Sequence, residues 1–207
     1  MRHLIKIDPR HYAWLEQGDQ CWYCGEYTSG GGWGISETNR QILNLKKGPG
    51  SKANELHYKG VAVNYWGDAL ARLITLEKTI GKCTFVPMPG SKPIGHPEHD
   101  DRIGKVLARM AAHRPGVDVR HILKQGSARP AQHAGGGRKS PTEICETLQV
   151  DYSLMPPPLS PTIFVVDDVI TMGASFAAAK RMLRELPNVE QVVGVFLAKT
   201  VWPTPGC

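Results

Sequence analysis

Residues 161–175, PTIFVVDDVITMGAS, constrain this chain more than any other stretch. An apolar, largely β-branched and aromatic run ends in two adjacent carboxylates, Asp167 and Asp168. After Val169 and Ile170 a turn of small residues, Thr171-Met172-Gly173-Ala174-Ser175, opens a helical pattern. The run reads as a strand buried on both faces of a parallel sheet. Its C-terminal end is where an open α/β sheet presents ligands. Gly173 and Ala174 let an anion approach backbone N–H groups, and the following helix adds its positive end. Thr171 and Ser175 add hydroxyl donors, while Asp167 and Asp168 can accept hydrogen bonds from a vicinal diol. Two acids closing a buried strand cost free energy unless they bind something. A phosphate socket beside a diol acceptor suits a ribose 5-phosphate.

The rest of the chain alternates strand and helix. Val61–Ile80 carries Ala62, Tyr65, Trp66, Ala69, Leu70, Leu73, Ile74 and Leu76 at helical spacing, with Gly81 as a cap residue. Cys83–Met88 reads as a strand that enters the rigid loop Pro89-Gly90-Ser91-Lys92-Pro93, where an X-Pro bond can be cis. His99–His113 reads as a helix and Val117–Leu123 as an alternating strand. Lys124–Pro141 is a long polar loop, Ser175–Leu186 an amphipathic helix and Gln191–Ala198 a last buried strand. This order predicts an α/β fold with a three-layer, mainly parallel sheet over residues 61–207. Residues 1–60 lack clean periodicity, apart from a short helix over Ser36–Asn44 capped by Ser36, and read as an accessory region outside the sheet. Neither G-x-G-x-x-G nor G-x-x-x-x-G-K-[ST] occurs, so the chain has no dinucleotide fingerprint and no P-loop.

Hydrophobic residues make up 41% of the 207, enough for a core, and no apolar run approaches a membrane span. MRHLIKIDPRHYAW contains no apolar signal region, which makes cytoplasmic residence the expectation. A formal charge of +6 suits either nucleic acid or a polyanionic small molecule. The basic residues are dispersed rather than clustered, so nucleic acid is the less favoured partner. Of five cysteines only Cys21 and Cys24 are closely spaced. A structural zinc there needs two more ligands, for which His3, His11 and His57 have no regular spacing; free, packed thiols are the other reading.

Residues 161–175 resemble the phosphoribosyl-diphosphate (PRPP) signature of the type I phosphoribosyltransferases: hydrophobics, two acids, two hydrophobics, then a Thr/Gly-rich phosphate loop. That family carries three loops at the C-terminal edge of its sheet, and 89–92, 125–140 and 167–175 fall in that order here. The resemblance covers roughly residues 60–200 and implies a hood-like role for 1–60. It further implies that Thr171, Met172, Gly173, Ala174 and Ser175 hold PRPP and that Gly90, Ser91 and Lys92 hold pyrophosphate. Asp167 and Asp168 orient the ribose hydroxyls and the waters of an Mg²⁺ ion. Arg129, Arg138 and Lys139 stabilise departing pyrophosphate from a closing loop, and His133 moves a proton. Arg102, at a helix start, is a weaker candidate for the same cleft. The implied reaction is displacement of pyrophosphate from C1 of PRPP by an unidentified nitrogen acceptor.

Two alternatives accompany it: a non-catalytic PRPP- or nucleotide-binding regulator, and a ComF-like accessory factor working with nucleic acid. The ComF-like likeness rests on the cysteine pair, the V-P-x-P strand end and the C-terminal motif; those proteins typically carry two cysteine pairs and this chain one. Thr171 stands where 6-oxopurine enzymes of the family carry an Asp for the base proton, which disfavours hypoxanthine or guanine as acceptor. Met172 replaces the commoner Thr and removes one hydroxyl donor. Homodimers are frequent among these proteins.

Overall fold

The computed structural model describes residues 3–128 and 139–202. Its centre is a six-stranded sheet built from β1 (Ile5–Lys6), β2 (Gln20–Thr28), β3 (Cys83–Pro87), β4 (Asp118–Val119), β7 (Thr162–Ile170) and β8 (Gln191–Val201), in the order β1-β2-β8-β7-β3-β4. Every neighbouring pair is parallel except β1 with β2, so the sheet is mixed but mostly parallel. A separate antiparallel ribbon joins β5 (Leu123–Gln125) to β6 (Leu148–Val150).

Helices cover both faces. On one side α1 (Glu37–Leu45), α2 (Ala53–Leu73) and α3 (Arg102–Ala111) bury Ile42, Trp66, Leu70, Val106 and Met110 against Phe85, Val166 and Val195. On the other, α4 (Pro141–Cys145), α5 (Ala174–Arg184) and the ribbon bury Ile144, Phe176, Leu183 and Leu123 against Ile163, Val165 and Phe196. Successive residues Val165 and Val166 thus feed opposite cores, as strand alternation requires. Two cores sharing one sheet make β7 and β8 nearly apolar on both sides, the composition that marked them in the sequence. Helices α2 and α3 approach so closely that a Cβ on Gly67 would lie 2.9 Å from the Val106 carbonyl oxygen. No helix among the described residues is long and apolar enough to cross a membrane.

Several features differ from the sequence expectations. Residues 20–28, read as part of a region outside the sheet, are a full strand of it, paired with β8 from Gln20 opposite Val193 to Thr28 opposite Val201. Their Cys, Gly and Glu content hides the pattern, yet Cys21, Tyr23 and Cys24 are all buried. The stretch 117–123 is not one strand. Asp118–Val119 pairs with β3, and after a break Leu123 starts the ribbon. The long helix begins at Ala53 and stops at Leu73, eight residues earlier at its start than its apolar spacing indicated. The expected short helix is present, with Ser36 Oγ accepting from the Asn39 N–H at 3.0 Å. Buried Asn39 then ties that helix to the end of β2, its Oδ1 accepting from the Thr28 N–H at 2.9 Å. The cis peptide bond among the described residues is Pro156–Pro157, not one in the 87–93 loop.

Candidate functional site

The C-terminal ends of β3 and β7 open into a cleft of about 650 Å³. Gly90, Ser91 and Lys92 line it on one side, and Asp167, Asp168, Thr171, Gly173, Ala174 and Ser175 on another. The two loops, 77 positions apart between Gly90 and Asp167, meet because β3 and β7 are adjacent parallel strands. A third wall, Lys46 with Gly48-Pro49-Gly50-Ser51, comes from the connection between α1 and α2.

The turn after β7 is shaped for an anion. Gly173 is the N-cap of α5 and sits in the left-handed region, with φ 88° and ψ 1°, a conformation that favours glycine. No side chain caps the helix there, so its first N–H groups face the cleft mouth without the partner an Asp or Ser would provide. The loop is braced from behind. The Trp14 N–H donates to the Met172 carbonyl oxygen at 3.1 Å, and a Cβ on Gly173 would lie 2.9 Å from Leu15 Cδ2. Met172, unlike its four neighbours in the expected phosphate-binding set, is not among the residues lining the cleft.

The two acids have different partners. Asp168 is 6% exposed, and its Oδ2 accepts from Arg102 Nε at 3.0 Å, with Arg102 Nη2 in ion-pair contact at 2.7 Å and Lys46 Nζ at 3.9 Å. Its Oδ1 accepts from the Val169 N–H at 2.6 Å. Lys46 and Arg102 hold this carboxyl low, at about 2, against the opposing effect of burial. Asp167 Oδ1 turns back to accept from the Asp168 N–H at 2.8 Å, and Oδ2 has no protein partner among the described residues. Burial and the neighbouring Asp168 charge push the Asp167 carboxyl up, to about 7. The expected joint grip of both acids on one diol is therefore divided: Asp167 offers an open oxygen and Asp168 anchors a guanidinium.

The other expected residues fall as follows. Lys92 lines the cleft, with Nζ 3.3 Å from Glu98 Oε2. Lys139 lies just before the Ser140 N-cap of α4 and does not line the cleft. Arg129, His133 and Arg138 lie outside the described residues.

Cys21 and Cys24 contribute to different cores, on opposite faces of the sheet, because three positions along a strand reverse the side-chain direction. They cannot share a metal, and burial pushes both thiols up to about 12. Among the described residues no three His, Cys, Asp or Glu side chains gather as a metal site. A magnesium ion bound mostly through water and ligand phosphates needs less. The open oxygen of Asp167, on a carboxyl whose charge is unfavourable without a cation, fits that kind of site.

Sequence reasoning missed the third wall and undervalued Arg102. The Gly-Pro-Gly-Ser turn was legible as a loop, but nothing local points it at β7. No protein-family model matches the chain, and no curated protein matches it significantly. The fold and cleft define an α/β protein with an anion-shaped turn at the carboxyl edge of its sheet.

Proposed function

We propose that this protein binds PRPP in the 650 Å³ cleft and transfers its phosphoribosyl group to a nitrogen acceptor, as a phosphoribosyltransferase of the type I kind. One observation carries the reading. An uncapped helix N-terminus behind Gly173 and an open carboxylate oxygen on Asp167 line the same cleft as the Gly90–Lys92 loop. In this reading the N–H groups of the 173–175 turn, with the Thr171 and Ser175 hydroxyls, hold the 5-phosphate. Asp167 accepts from the ribose hydroxyls, and Gly90–Lys92 hold the pyrophosphate. Asp167 would also hold Mg²⁺ through water, and the ion when bound neutralises pyrophosphate charge. The transition state is electron-poor at C1, so the residues act by positioning and charge complementarity rather than by covalent chemistry.

The acceptor would enter along the third wall. A Cβ on Gly48 or Gly50 meets nothing within 4 Å, and neither residue has a positive φ, so neither backbone strain nor protein packing calls for glycine there. In this reading, room for close approach by the acceptor is the role of the two glycines.

A second reading is a PRPP-binding protein without turnover. Its support is the Arg102 guanidinium seated on Asp168, which occupies one of the two acids the family pattern assigns to the sugar. Two measurements with PRPP and Mg²⁺ separate the readings. Thermal stabilisation together with pyrophosphate release across a panel of bases and amines supports transfer. Stabilisation without release supports the binding protein. No stabilisation of the parent protein refutes both.

A further inference from the structure

A chain of buried charges runs from α2 to the cleft. Lys59, in the second turn of α2, is 7% exposed. Its Nζ donates to the Lys47 carbonyl oxygen at 2.5 Å and to Asp100 Oδ1 at 2.6 Å. Asp100 Oδ2 accepts from Arg102 Nη1 at 3.1 Å, and Arg102 continues through Nε and Nη2 to Asp168. One guanidinium is thus shared by two carboxylates, and one of those is neutralised by a buried ammonium.

Packing alone does not call for this arrangement. Buried ion pairs contribute little net stability relative to apolar residues of similar volume, while removing one partner is costly. Arg102 is also the first residue of α3, where the helix dipole disfavours a cation. Yet Arg102 and Asp100 both line the cleft beside Gly90 and Ser91. Nε and Nη1 donate to carboxylates and Nη2 is in ion-pair contact with Asp168, leaving N–H groups on Nη1 and Nη2 without a hydrogen-bond acceptor among the described residues. A planar fork with two spare N–H groups suits the oxygens of a diphosphate.

We infer that Arg102 is the cleft's receptor for the diphosphate end of its ligand, and that Lys59 is a positioning residue that neutralises Asp100 so that Arg102 stays available. This rests on the PRPP reading above and adds to it the residue that takes the leaving group. Without Lys59, the full charge of Asp100 would hold the guanidinium more tightly and compete with an incoming diphosphate for it.

The test is calorimetric titration at fixed salt with two probes, inorganic pyrophosphate with Mg²⁺ and ribose 5-phosphate, on the full chain. Arg102→Gln should weaken pyrophosphate at least tenfold and ribose 5-phosphate less than threefold. Arg102→Lys, which keeps the charge and the fold but loses the fork, should show the same bias. Lys59→Met should weaken pyrophosphate at least threefold in the parent and cause no further loss when added to Arg102→Gln. A merely structural Lys59 would give the same loss in both backgrounds, and that result overturns its positioning role. If Lys59→Met does not fold, Lys59→Met with Asp100→Asn replaces it. That neutral pair should bind pyrophosphate within threefold of the parent, and a tenfold loss overturns the positioning role too. Parent-like pyrophosphate binding by Arg102→Lys and Arg102→Gln refutes the receptor role while leaving the PRPP reading standing. Failure of the parent to bind either probe refutes that reading itself.

Discussion

Asp167→Asn should make the ligand-free protein more stable, and more so at pH 8 than at pH 5.5. Folding buries the Asp167 carboxyl beside Asp168 and raises it from 3.8 to about 7. A group that holds its proton more tightly when folded favours the native state at low pH. That advantage is lost as pH climbs from the unfolded value near 4 to the folded value near 7, and it stays lost above. Each pH unit separating the folded from the unfolded value corresponds to about 1.4 kcal/mol, so the full penalty above pH 7 is at most about 4 kcal/mol. Integrating the two titrations, about 2 kcal/mol of it falls between pH 5.5 and 8, and about 1 kcal/mol remains once water reaching the cleft is allowed for. Asparagine keeps the acceptor for the Asp168 N–H and abolishes the titration. Urea unfolding of parent and variant at both pH values reads the difference directly. Equal destabilisation of the variant at both pH values, or a parent that does not weaken toward pH 8, refutes a buried, proton-holding Asp167. In the proposed function the same change also removes the sugar acceptor, so stability and PRPP binding should move in opposite directions.

Gly173→Ala places a side chain at φ 88° and drives Cβ against Leu15 Cδ2 at 2.9 Å. It should cost about 1–3 kcal/mol by urea unfolding and weaken PRPP–Mg²⁺, and adding Leu15→Ala should recover only the steric part. Gly50→Ala meets open space at an ordinary φ, so melting temperature should hold or rise while turnover or acceptor affinity falls; unchanged acceptor kinetics would remove the third wall from the site. Trp66 is fully buried, and its Nε1 has no hydrogen-bond partner among the described residues. Trp66→Phe should therefore cost much less than Trp66→Ala, for which about 3–5 kcal/mol is expected by urea unfolding. Cys21 and Cys24, with thiols near 12, should resist iodoacetamide at pH 8 in the folded protein while the more accessible Cys83 and Cys145 are labelled first, as peptide mass mapping would show.

What could be read from residue order was what is local. The β7 strand and its turn declared themselves because both faces of the strand are buried and because only small residues fit the N-cap of α5. The Ser36 cap and the β3 strand were legible for similar reasons. What escaped was set by distant partners. Residues 20–28 are a strand because β8 lies beside them, and their own composition, with Gly25 in the middle, does not say so. Arg102 meets Asp168 across 66 positions and Lys59 meets Asp100 across 41, so no spacing rule exposes either pair. The division of labour between the two aspartates follows from those pairs and was invisible with them.

The pairing of β2 with β8 has a consequence for how the chain acquires its shape. Gln20 stands opposite Val193, so this strand's only long partner among the described residues is synthesised 173 positions after it. During translation the first thirty residues carry a strand that has only the two-residue β1 to pair with while β8 does not yet exist, with Cys21, Tyr23 and Cys24 still wet. Such distant pairing raises contact order and delays closure of the sheet. The nascent amino-terminal segment is then the natural client for a chaperone, and the place where an interrupted chain would begin to aggregate.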